Sequence, residues 1–153
     1  MALVYLGLGS NLGRKEEYLE LAITEIEKQI GFVVARSAFY EYAPWGFDSP
    51  NSFINACVAV ETILSPYACL RIIASAEERL GRIKKKTDGY MDRVIDIDIL
   101  FYDQIVLQEE NLTIPHPLMH LRRFVLEPLV EIAPTLIHPV FHKNIEALLK
   151  ELI

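Results

Sequence analysis

Cysteine is scarce in this chain, with two residues, Cys57 and Cys69, among 153. Two thiols set among apolar neighbours cannot build a disulfide scaffold or a thiolate cage for a metal, and they read as small core hydrophobes in a reduced, cytoplasmic protein. Positive charge is short as well. Fifteen Lys plus Arg stand against 21 Asp plus Glu, a net charge of −6, so the chain offers no general footprint for nucleic acid or an anionic membrane. Long apolar runs are missing too. The stretch 1–13 has no basic start and is interrupted by Gly7, Gly9, Ser10 and Asn11, so it reads as neither signal peptide nor membrane span. The glycines of GLGSNLG follow G-x-G-x-x-x-G and no Gly-Lys-Ser/Thr comes after them, which excludes a dinucleotide fingerprint and a phosphate loop. A tight structural turn is the expected role of these glycines.

No internal repeat, low-complexity tract or linker divides the sequence, and 1–153 is read as a single domain. A chain of this length buries about 68–70% of its unfolded surface, enough for a core without staples. Leu3 to Leu8 reads as a buried strand. Leu19, Ala22, Ile23, Ile26 and Ile30 recur at helical spacing with acidic residues opposite, and Gly31 is the expected C′ residue. Phe32–Tyr42 and Phe53–Thr62 read as strands joined by a loop. Ser65 followed by Pro66 starts a second helix and Gly81 stops it; Glu77 falls on its apolar stripe with Leu70, Ile73 and Leu80. Val94–Tyr102 is the most strand-like segment, and Asn144 caps a last short helix. Strand, helix, strand, strand, helix, strand is the order of the ferredoxin-like βαββαβ core. The predicted class is therefore α+β: an antiparallel sheet with helices packed on one face, plus a C-terminal extension of short elements.

Two aspartates stand out in RVIDIDILFYD. Alternation puts Asp96 and Asp98 on one strand face with Val94 and Leu100, and Ile95, Ile97, Ile99 and Phe101 on the other. Two like charges on a strand cost stability unless cations stand near them, and one or two carboxylates completed by water and phosphate oxygens are how Mg²⁺ is usually held. A solvated strand face fits the same residues. Just upstream, Arg79, Arg82, Lys84, Lys85, Lys86 and Arg93 meet only Asp88 and Asp92, a local net charge of +4 in an acidic chain. A magnesium polyphosphate needs such a juxtaposition, with Arg and Lys taking the charge the metal leaves. For the lysines a solvated loop is as good a reading; Arg82 and Arg93, flanking the loop, favour function.

Tyr40, Tyr42, Trp45, Phe47 and Phe53 crowd fourteen positions, with Asn55 following on the strand. Most such rings are core, yet Phe53, Asn55 and Phe124 also suit a flat heterocycle held between two rings beside an amide. His116, between two prolines, fits a phosphate contact or turn packing equally well. No zinc pattern is present, and sequence order alone proposes no Ser, His and Asp set.

Six pieces in order, YLGLGSNLG, FYEYAPWG, FINACVAVET, ERLGR, RVIDIDILFYD and IPHPLMHLRRFVLEPLVEIAP, resemble the 6-hydroxymethyl-7,8-dihydropterin pyrophosphokinase family over essentially the whole length. The resemblance implies transfer of pyrophosphate from ATP to the pterin hydroxymethyl group in folate biosynthesis. It implies that Asp96 and Asp98 hold two Mg²⁺ ions on ATP and that Arg82 and Arg93 are the catalytic arginines of a mobile loop. Ala43, Pro44, Trp45, Phe53, Asn55 and Phe124 match the pterin site. Glu77, Lys84, Lys85, Ile99, Thr113, His116 and Arg122 match the ATP site. The expected partners are ATP and the pterin, bound by a cytoplasmic monomer that engages neither nucleic acid nor membrane. The chain departs from the family at Tyr90, Met91 and Asp92, where many members have a tryptophan and small residues or proline, at Lys84, where arginine is common, and at Asn111. A nucleotide-binding module without catalysis would lack the metal pair or the loop arginines, and a phosphohydrolase would release phosphate from ATP without any pterin.

Overall fold

The computed structural model describes residues 1–82 and 90–152. In chain order it has β1 (Ala2–Ser10), α1 (Lys15–Gln29), β2 (Gly31–Arg36), β3 (Tyr40–Tyr42), β4 (Phe53–Thr62), α2 (Pro66–Arg79) and β5 (Asp96–Tyr102). Two short strands, β6 (Leu107–Gln108) and β7 (Thr113–Ile114), a 3₁₀ turn and two helices, α3 (Arg123–Ile132) and α4 (Ile145–Glu151), complete it. The strand order is β2-β4-β1-β5 with antiparallel neighbours, and β3 continues beside β4. This is the predicted ferredoxin-like core.

Periodicity explains the layers. Leu19, Ala22, Ile23 and Ile26 of α1 and Ile73 of α2 bury against Leu6, Leu8, Val58, Ile97 and Ile99 on one sheet face. The helices do not stay on that face alone. In the C-terminal third, Val125, Leu126, Leu129, Ile145 and Leu148 bury against Cys57, Leu100 and Phe101 on the other, so the sheet lies between two helical layers. The caps form as expected: Ser65 Oγ accepts from Ala68 N at 3.2 Å and Asn144 Oδ1 from Ala147 N at 2.8 Å. Among the described residues no helix is long and apolar enough to cross a membrane.

Three local expectations are corrected. Gly31 is not a left-handed cap but the first residue of β2, where a Cβ would stand 1.9 Å from the Glu61 carbonyl oxygen. Strand approach, not helix termination, demands that glycine. Phe32–Tyr42 breaks at Ser37, whose Oγ accepts from Cys57 N at 2.9 Å and so replaces a main-chain partner between β2 and β3. On β5 the partner register slips between Leu6↔Ile99 and Tyr5↔Phe101, leaving Leu100 as an extra residue. This bulge turns Phe101 onto the same face as Leu100, away from Ile97 and Ile99, while Val94, ahead of the strand, packs with the α1 and α2 layer.

Candidate active site

The site grows from two cross-strand rows. Asn55 of β4, Gly9 of β1 and Asp96 of β5 stand opposite one another, as do Cys57, Gly7 and Asp98. Gly7 and Gly9 therefore lie inside a strand, not in the expected turn, and only Gly13 (φ +69°) of that motif has turn geometry. The two bare positions on the central strand are covered by neighbouring side chains, Leu100 over Gly7 and Asn55 over Gly9. A Cβ at Gly9 would stand 2.7 Å from Asn55 Nδ2. That amide donates to the Leu8 carbonyl at 3.3 Å, and its Oδ1 is buried without a partner, an acceptor held ready for a ligand donor.

The carboxylates differ. Asp96 accepts from Arg82 at 3.0 Å and Arg93 at 3.2 Å. Asp98 receives no hydrogen bond among the described residues. Burial, then the neighbouring Asp96 charge, pushes its pKa up to about 8. A divalent cation beside both groups removes both penalties. Two hard oxygen donors completed by water and phosphate would suit Mg²⁺, and no set of three or more His, Cys, Asp or Glu groups suited to a metal occurs among the described residues.

Glu77, the inward carboxylate of α2, accepts from Ile97 N at 2.9 Å and Arg82 at 2.7 Å through the same oxygen. It fastens the aspartate strand to the second helix and holds Arg82 between two carboxylates. Burial raises its pKa against the opposing pull of Arg82.

The aromatic cleft beside this cluster is lined by Ala43, Trp45, Phe53, Asn55, Tyr90, Arg93, Asp96, Arg122 and Phe124. Both rings of the expected sandwich are there, each with a guanidinium against it: Arg93 lies 5.0 Å from the Phe53 centroid and Arg122 lies 5.5 Å from Phe124 and 4.6 Å from Trp45. Arg122 Nη2 donates to the Tyr90 hydroxyl oxygen at 2.8 Å. The remaining free volume of the cleft is about 20 Å³, room for a single water.

The family model for 7,8-dihydro-6-hydroxymethylpterin-pyrophosphokinase (HPPK) matches residues 5–134. The chain belongs to the HPPK family. It is similar to the 2-amino-4-hydroxy-6-hydroxymethyldihydropteridine pyrophosphokinase of Porphyromonas gingivalis, 45% identical over 141 residues that cover 91% of this chain and 95% of that one. The protein of the same name from Aquifex aeolicus is 38% identical over 146 residues, covering 95% and 89%. Among solved structures, wild-type HPPK-DHPS of Plasmodium falciparum with pteroate superposes with a TM-score of 0.81 at 18% identity, over 98% of this chain. That likeness shows the fold. The chain spans 44% of that longer protein.

Against this HPPK frame, most expected site residues converge. Ala43 and Trp45 line the cleft with Pro44 between them, and Arg122, expected at the ATP site, stands in the aromatic cleft. Thr113 and His116 lie apart from it, in a second groove with Gln108, Pro115, Pro117 and Phe141. His116 Nδ1 accepts from Leu118 N at 3.2 Å, and burial, then Arg122, pushes its pKa down to about 4, leaving a neutral ring whose Nε2–H is free to donate. The Ile99 side chain is buried in the core beneath the sheet. Lys84 and Lys85, with most of the mobile loop that the resemblance implies, lie outside the described residues. Sequence reasoning missed Tyr90 as a cleft residue, although an aromatic three places before Arg93 was visible; it also missed Asn11, Asn51 and Asp92, which meet only through folding.

Proposed function

We propose that this chain transfers the pyrophosphoryl group of ATP to the hydroxymethyl oxygen of 6-hydroxymethyl-7,8-dihydropterin, giving AMP and the pterin pyrophosphate for folate biosynthesis. The observation that carries the reading is the junction of an aromatic cleft holding an unpartnered Asn55 Oδ1 with the Asp96, Asp98, Arg82 and Arg93 cluster. One half suits a flat heterocycle with ring N–H groups, the other a metal-bound polyphosphate.

Phe53 and Phe124 stack the pterin and Asn55 Oδ1 accepts from its edge, with Ala43, Pro44 and Trp45 as the wall. Asp96 and Asp98 would hold two Mg²⁺ ions, which would supply positive charge to a polyphosphate. Arg82 and Arg93, paired with Asp96 at 3.0 and 3.2 Å, would supply guanidinium charge to the phosphates. Glu77 keeps Arg82 within reach, and Lys84, Lys85, Thr113 and His116 complete the ATP side, with Arg122 reaching it from the aromatic cleft and Ile99, its side chain buried in the core, offering its main chain alone. His116 serves as a neutral Nε2–H donor. The hydroxymethyl oxygen forms a bond to the β-phosphorus as the bond from that phosphorus to the AMP oxygen breaks, and the hydroxyl proton goes to solvent. Positioning and charge stabilisation supply the catalysis. We read 1–153 as one catalytic domain acting as a cytoplasmic monomer, in keeping with its two free, buried thiols.

ATP labelled at the β-phosphorus tests the reading. The label moves to the pterin if the chain is a pyrophosphokinase. Label found only in ADP or free phosphate would make it a phosphohydrolase, and label remaining in bound ATP would make it a binding module.

A further inference from the structure

The departure at Tyr90, Met91 and Asp92 is tied into the fold at a single carboxylate. Asp92 Oδ1 accepts from Asn11 Nδ2 at 2.7 Å, and its Oδ2 from Asn51 Nδ2 at 3.0 Å. Asn11, 2% exposed, also clamps the next residue by its main chain: Arg93 N donates to Asn11 Oδ1 at 2.7 Å, and Asn11 N donates to the Arg93 carbonyl at 3.0 Å. Asn51 ends the loop whose other end carries Ala43 and Trp45. Two further contacts follow the same path, since Tyr90 packs edge-on to Trp45 at 5.8 Å and a Cβ at Gly46 would stand 2.8 Å from the Tyr90 ring. One side chain thus joins the end of β1, the 43–52 loop and the arginine whose guanidinium spans Phe53 and Asp96.

We infer that Asp92 is a positioning residue that couples the pterin-wall loop to Arg93, so that a pterin seated against Trp45 sets the arginine for the phosphoryl group. This rests on the function proposed above. Asp92 touches no reacting atom in that scheme. It acts through Asn11 on the Arg93 backbone and through Asn51 on the loop, a reciprocal coupling in which order on either side favours order on the other.

The test exchanges the polarity of one contact. In Asp92→Asn, the new amide still accepts from Asn11 but presents a donor to the Asn51 donor; adding Asn51→Asp restores that bond in reverse. Asp92→Asn lowers kcat roughly ten-fold with a smaller change in KM for the pterin, and the double variant recovers to within about three-fold. In an Arg93→Ala background, Asp92→Asn costs less than about two-fold, because the group it positions is gone. Equal losses with and without Arg93, or no rescue, would overturn the inference and leave a purely structural role. Acrylamide quenching of Trp45, the single tryptophan, reads the loop without turnover. Quenching rises in Asp92→Asn and falls back in the double variant; unchanged quenching overturns the coupling. A wild-type chain that makes no AMP overturns the proposed function and the kinetic role with it, whereas the quenching series still decides whether Asp92 joins the loops.

Discussion

Gly9 and Asn55 face each other across β1 and β4, and the space where a Cβ would sit on Gly9 is taken by the Asn55 amide, 2.7 Å away. The glycine has no turn to make there. Its bare position lets the amide lie across the central strand, donate to Leu8 and keep Oδ1 aimed at the cleft. Gly9→Ala should therefore displace the amide without unfolding the strand. The expected result is a roughly ten-fold or greater loss of pterin affinity, measured calorimetrically with a non-reacting ATP analogue and Mg²⁺ present, and little change in nucleotide affinity. Pterin affinity equal to wild type would show that Asn55 is not set by that vacancy.

Asp98 is the more exposed test of the metal assignment, because it lacks the arginine contacts that Asp96 has. Asp98→Ala should abolish turnover and weaken Mg-ATP binding while leaving the pterin cleft intact. The same variant should be no less stable than wild type without metal, since it removes a carboxylate that burial and the Asp96 charge disfavour. Near-normal activity would end the assignment of a metal to this pair.

His138 offers a pH test remote from the chemistry. It is 3% exposed, stacks on Phe141 at 4.4 Å, and its Nδ1 accepts from Val140 N and Phe141 N. Burial first, then His120 and His142, pushes its pKa down to about 4 from an ordinary 6.5. The unfolded chain thus binds a proton at this ring between pH 6.5 and 4 that the folded chain refuses. Its contribution to stability is complete above pH 6.5 and declines as pH falls through that window. In His138→Asn, whose Oδ1 can take the two N–H bonds, the slope of melting temperature against pH between 6.5 and 4 should be shallower than in wild type. Parallel slopes would count against the buried neutral ring.

Much of this was legible in sequence because it depends on local rules. The caps at Ser65 and Asn144, the helical stripes and the β5 alternation follow from side-chain chemistry within a few residues. The aspartate pair, the flanking arginines and the Phe53, Asn55 and Phe124 set were identified from residue type, spacing and family likeness. What stayed hidden depends on partners distant in the chain. Gly31 answers to Glu61, and the bulge at Leu100 answers to the register with β1. Gly7 and Gly9 looked like a turn because their alternation matters only once Asp98 and Asp96 stand opposite. Asp92 was visible as a departure from the family, and its contacts appear only when Asn11 and Asn51, 81 and 41 positions away, reach it.

The proposed pyrophosphoryl transfer requires both halves of the site. The most direct measurement is AMP formation from Mg-ATP, followed by phosphorus NMR, with and without 6-hydroxymethyl-7,8-dihydropterin. AMP and pterin pyrophosphate are expected in equal amounts when the pterin is present, and no AMP without it. Phosphate or AMP released at the same rate in the absence of pterin would contradict that transfer.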